Sequence, residues 1–237
     1  MPTDDAHTLL SVRGEAQRTV APDQATIWCS AAGVAGTAAE ATKLVSDTLA
    51  ALTGELASLG GRPLTADTTR SPLTWSAQSL TVQPEHDHDK VTGIHGPTGR
   101  QHASVSIVLT VRDFGLLGEI SSMITGHSRL SVYSVGWTVD ADNPGWAQVR
   151  ANAIQAALRT GQDYAAALGG AVTAVQHVAD AGLLGASGPS PRATLATNSS
   201  AAGHAEGSTV ALDPVPQQLS ATIEARFSAT IGPLPAR

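Results

Sequence analysis

The chain has 237 residues and a formal charge of −6, with 42% hydrophobic, 3% aromatic and 14% charged side chains. That composition is globular and long enough to bury a sizeable core. The acidic balance, with no Lys/Arg cluster, argues against nucleic acid, which needs a basic face opposite its phosphates, and against an anionic membrane surface.

Few charges combined with abundant Ala, Gly, Ser and Thr predict close-packed elements and a surface that gains from cover by a partner subunit. The one cysteine, Cys29, excludes an intramolecular disulfide, and its apolar neighbours make it a core residue. The opening MPTDDAHTLL carries two acids and lacks the apolar run of a signal peptide. No later segment reaches the ~20 apolar residues of a membrane span. The expected location is cytoplasmic, or exported if a leader has been removed.

Residues 11–31 read as two strands meeting at the Pro22-Asp23 corner. Gly14 interrupts the first and predicts a bend or bulge there. Ala25, Ile27, Cys29 and Ala31 alternate with polar or larger residues, as in a half-buried strand. Thr37-Ala-Ala-Glu40 fits a capping box, and Ala41, Leu44, Val45, Leu49, Leu52, Leu56 and Leu59 follow at helical spacing up to Gly60-Gly61. Residues 64–82 read as a strand or irregular strand pair, and the polar residues 83–101 as an exposed loop or hairpin tip. Ala103, Val105, Ile107, Leu109 and Val111 mark a clean strand, followed by a helix over 114–125. A strand over 129–140 leads to Asn143-Pro144, an N-cap followed by proline at the first helical position, and a helix to Leu168. Residues 171–180 form a strand, and 181–216 are too rich in Gly, Ser, Pro, Ala and Thr to order themselves. In the last strand Leu219, Ala221, Ile223, Ala225, Phe227, Ala229 and Ile231 face one way.

This order predicts an α+β fold, a two-layer sandwich of mainly antiparallel sheet covered by amphipathic helices. Residues 1–10 form a tail, and 11–237 a single domain with a flexible insertion at 181–216.

The opening V-x-G-E (Val12 to Glu15) and V-x-P-D-x-A-x-I (Val20 to Ile27) resemble the SIMPL-domain, or DUF541, family. So do Thr37-Ala-Ala-Glu40-Ala41, Thr110-Val111-Arg112-Asp113, Val149 to Ala153, Ala165 to Gly169, and the Asp213 to Pro216 approach to the final strand. Three features depart from the family pattern: Thr160 replaces a usual lysine beside Gly161, Gln217-Gln218 replaces a usual glycine, and residues 83–101 are rich in His and Asp. The resemblance implies an αβ building block, in some relatives a ring-like or channel-like homo-oligomer. It also implies envelope or stress phenotypes and, for the namesake, partnership with a signalling kinase. It carries no catalytic residues.

The sharpest chemical cluster is Glu85-His86-Asp87-His88-Asp89, with His86 and His88 as candidate metal ligands and His95 or His102 as further donors. In an extended segment the two histidines lie opposite Asp87 and Asp89, which splits the set and favours a solvated loop. Gly185-Ala186-Ser187-Gly188 is one residue short of a nucleophile elbow, and His127-Ser128 has nothing visible to orient it. Phosphate-binding glycine motifs are absent, and no cofactor is predicted. Asn198-Ser199-Ser200 is a sequon without consequence unless secreted. Trp75, Trp137 and Trp146 read as packing anchors, and Arg150 as a surface or ion-pair residue.

The last strand has no internal proline and Glu224 and Arg226 as its charges, few guards for an open edge. It or the 11–20 strand is therefore expected at a subunit interface, with Thr222, Glu224 and Arg226 as interface residues. The functional expectation is a non-enzymatic protein whose main partner is a second copy of itself. The alternative is a small-molecule or metal-binding module at 83–102, and a third possibility an adaptor acting through 181–216.

Overall fold

The computed structural model describes residues 7–88, 95–184 and 212–232. Within them lie the strands β1 His7–Val20, β2 Gln24–Ala35, β3 Arg62–Pro63, β4 Leu73–Ala77, β5 Thr81–His88, β6 His95–Val111, β7 Leu130–Thr138, β8 Ala171–Asp180 and β9 Gln217–Thr230. The helices are α1 Ala38–Ser58, α2 Leu117–Gly126 and α3 Pro144–Ala167. The fold is α+β, with antiparallel strand pairs except for the short parallel pair β3–β4. Among the described residues no helix is long and apolar enough to cross a membrane. The chain packs as two compact units.

One unit spans 21–88, 95–140 and 212–215 and holds a sheet of order β3-β4-β6-β2-β7, with β5 paired to β6. Alternation aligns the strands as expected: Ala25, Ile27, Cys29 and Ala31 lie opposite Val111, Leu109, Ile107 and Val105, and all eight are buried. α1 starts at the capping box, where the Glu40 amide donates to Thr37 Oγ1 and the Thr37 amide to Glu40 Oε2, each at 3.2 Å. It buries Val45, Leu52 and Leu56, and α2 buries Leu117, Ile120 and Ile124 in the same core. Each such side chain contributes about 1.5–3 kcal/mol when fully buried. The 64–82 region opens with a short 3₁₀ turn, Ala66–Thr68, and then holds β4 and the start of β5.

The Pro22-Asp23 and Arg112-Asp113 segments are architectural. Asp23 donates its amide to the Thr138 carbonyl at 2.8 Å and accepts the Asp140 amide on Oδ2 at 2.8 Å. Arg112 grips Asp140 through Nη1 at 2.6 Å and Nη2 at 3.3 Å, while its Nε donates to the Thr69 carbonyl. Asp113 Oδ1 accepts the Gly115 amide and starts the turn into α2.

The other unit spans 7–20, 141–184 and 216–232, with sheet order β1-β9-β8. β1 starts at His7, inside the expected tail, and pairs with β9, so the strands on either side of Pro22 belong to different sheets. Asn143 caps α3, its Oδ1 accepting the Gly145 amide at 2.8 Å, with Pro144 in the first turn. Gly145, Val149, Ala153, Ala157, Gly161 and Ala165 form the buried stripe of α3, four residues apart and small from Ala153 onward. This stripe lets the helix axis come close to the sheet. A Cβ on Gly14 would lie 2.1 Å from the Ala153 carbonyl oxygen, and one on Gly161 2.7 Å from the Phe227 ring. The bend expected at Gly14 is thus corrected: the β1–β9 register runs through Gly14–Ile223 without a shift, and the glycine is there for close approach.

Candidate interaction surface

β9 is the middle strand of its sheet, bonded to β1 on one side and β8 on the other. Its ladder groups are engaged, so the expectation that it forms an open edge is corrected. Among the described residues the edges of this sheet are β1 and β8. The alternation of β9 is as expected, with Ile223, Ala225, Phe227 and Ala229 in the core beneath α3 and Thr222, Glu224 and Arg226 on the opposite face, half-buried.

Those three residues hold the turn that follows β8. Glu224 accepts from Arg13 Nη2 at 3.0 Å and from the Leu184 amide at 3.3 Å. Arg226 Nη2 donates to the Leu184 carbonyl at 3.0 Å, and the Thr222 carbonyl accepts the Ala181 amide at 3.4 Å. The Arg13 hydrogen bond, followed by the backbone bond at Gly182, holds the Glu224 carboxyl below the usual carboxylate range. Gly182 supplies the turn with φ of 86°. The result is an open cleft of about 450 Å³ lined by Ser11, Arg13, Leu184, Glu224 and Arg226. Its charged groups already have partners within the unit, so the cleft reads as a latch for the turn.

β8 differs from its neighbours. α3 packs mainly on β1 and β9 and meets β8 only at its margin. Val172 joins the core, whereas Val175 and Val178 are 60% and 43% exposed. Register shifts at Val172/Ala174 and Val175/His177 place Val175 opposite Phe227 and Val178 opposite Ala225, so both valines share the α3 side of the sheet. Sequence reasoning identified the strand and missed this surface. Its signal was the three-residue spacing of Val172, Val175 and Val178, which a regular strand cannot keep on one face.

In the other unit, residues 83–101, expected as an exposed loop or hairpin tip, lie in a β5–β6 hairpin whose strands reach His88 and His95. Thr98 and Arg100 bind Glu85 across this hairpin, Thr98 Oγ1 at 2.7 Å and Arg100 Nε at 3.7 Å. His86 Nδ1 lies 3.0 Å from the Pro84 carbonyl. The side chains of His88 and His95 fall outside the described residues. Among the described residues no group of three His, Cys, Asp or Glu is placed to hold a metal ion.

His127 has a partner that local sequence could not reveal: its Nε2 lies 3.0 Å from Glu55 Oε1, beside an open groove of about 520 Å³ between α1 and α2 lined by Leu59, Glu119 and Met123. Burial pushes the Cys29 thiol up to about 11, with Sγ 3.6 Å from the Ile107 carbonyl oxygen, so it stays protonated at neutral pH. Trp137 packs edge-on to Phe114 at 5.6 Å and Trp75 against the same core. Arg150 lies on the surface over the Trp146 ring at 5.7 Å. Gly185 to Gly188, the Asn198 sequon and most of the 181–216 insertion lie outside the described residues.

No curated protein matches the chain. Residues 10–227 match the family SIMPL, described as a protein of unknown function (DUF541), a match spanning both units and all the motifs above from Val12 to Pro216. The chain belongs to the SIMPL family.

Proposed function

We propose that the chain is a non-enzymatic building block that assembles with copies of itself, the ring-like or channel-like form implied by the family resemblance being one architecture open to it. The observation that carries this reading is β8, a sheet edge free among the described residues that also exposes apolar side chains on the face its helix leaves uncovered. Exposed apolar residues on an unguarded strand are stabilised when another chain covers them. The charged side chains of β9, Glu224 and Arg226, are engaged in holding a turn, and the only thiol is buried and protonated, which supports a role in assembly over one in group transfer. A stress-related process is the biological setting that the resemblance favours.

Light scattering of the full chain at two concentrations tests the proposal. A fixed multiple of the 24.1 kDa chain mass is the expected result. A mass of 24.1 kDa at both concentrations would overturn it and leave the 83–102 hairpin as the better starting point, through zinc calorimetry on the wild type and on H86A/H88A.

A further inference from the structure

We propose that two copies of the chain meet at β8, strand against strand about a two-fold axis, so that Val175 and Val178 of both copies form one covered apolar cluster. This rests on the self-assembly reading and adds to it the surface and the register.

The choice of edge comes from contrast within one sheet. β1 carries three exposed charges along its length, Arg13, Glu15 and Arg18, of the kind that discourage edge pairing. β8 carries no lysine, arginine or proline, and its one acid, Asp180, is its last residue. Its two bulges bring Val175 and Val178 to one face, so the contact is made by side chains as much as by a backbone ladder.

The occupant follows from self-complementarity. Antiparallel to itself with Val175 opposite Val178 of the partner subunit, β8 places Ala174 opposite Ala179 of the partner subunit. Gln176 then meets His177 of the partner subunit, and Thr173 meets Asp180 of the partner subunit. Valines meet valines, alanines meet alanines and no like charges are opposed, the pairing that stabilises an antiparallel interface. An isologous contact requires such a surface. The chain's own adjoining segment is a poor substitute: residues 185–211 contain only Leu195 and Val210 as large apolar residues.

The test is the solution mass of the full-length double variant V175E/V178E beside the wild type and L9E, with circular dichroism to establish folding. Both valines are exposed, so the variant should fold. Its mass should be at most half that of the wild type, whereas L9E on β1 should keep the wild-type mass. A folded V175E/V178E with the wild-type mass would overturn the β8 interface while leaving self-assembly standing, and a monomeric wild type would overturn both. Should the double variant unfold, mixing A174C chains with A179C chains under mild oxidation decides the matter. A mixed disulfide dimer supports the register, and its absence from folded protein overturns it. Cys29 is buried and does not compete.

Discussion

The two sheets are covered in opposite ways. The six-stranded sheet lies under two helices whose contact side chains are Leu, Ile and Val, and its core is filled by volume. The three-stranded sheet lies under one helix that meets it mainly with alanine and glycine, and its core is filled by proximity. Large side chains reach across a wide gap and can serve a broad sheet. Small ones demand close approach, and a single helix held that near a twisted sheet covers two strands and leaves the third. The exposure of Val175 and Val178 follows from this second mode of packing.

The contrast can be broken most forcefully in the first core. Leu52→Ala removes a fully buried side chain and should cost about 2–5 kcal/mol, read from the shift of the urea midpoint at constant slope. In the second core addition should hurt instead of removal. Gly14→Ala drives a methyl into the α3 backbone and should cost about 1–3 kcal/mol. The same substitution at Gly54, on the exposed side of α1 with nothing within 4 Å, should stabilise by about 1 kcal/mol. Equal effects at the two glycines would refute the close-approach account.

The smallest expected effect concerns the latch behind β8. Glu224 has a depressed folded-state pKa, so its contribution is fully present above the unfolded carboxylate value of about 4.3 and is lost as pH falls through the lower folded value. Glu224→Gln should therefore flatten the decline of melting temperature between neutral pH and about pH 3. An unchanged acid profile would remove the charge from the account of the turn.

Local chemistry made much of this legible beforehand. The Thr37–Glu40 box, the Asn143-Pro144 start and the alternation of β6 and β9 each depend on neighbours a few residues apart, and each stands where it was expected. What stayed hidden depends on partners far along the chain. Alternation says which side of β9 is buried, yet nothing local says that His7 to Val20 will pair with it and convert an apparent edge into a centre. Gly14 advertised an anomaly without its cause, because the cause is Ala153 on a helix 139 positions later. Glu55 and His127 are likewise separated by 72 residues. For the interface, the polar residues of β9 attracted notice because their types stand out. The valines of β8 matter because a helix stops short of them, and only the fold reveals that.

Amide hydrogen exchange over Ala171–Asp180, compared between the wild type and V175E/V178E, tests the central claim most directly. The account predicts slow exchange of β8 in the wild type, fast exchange in the variant, and slow exchange of β9 in both. Equal exchange of β8 in the two proteins, with β9 protected throughout, would contradict it.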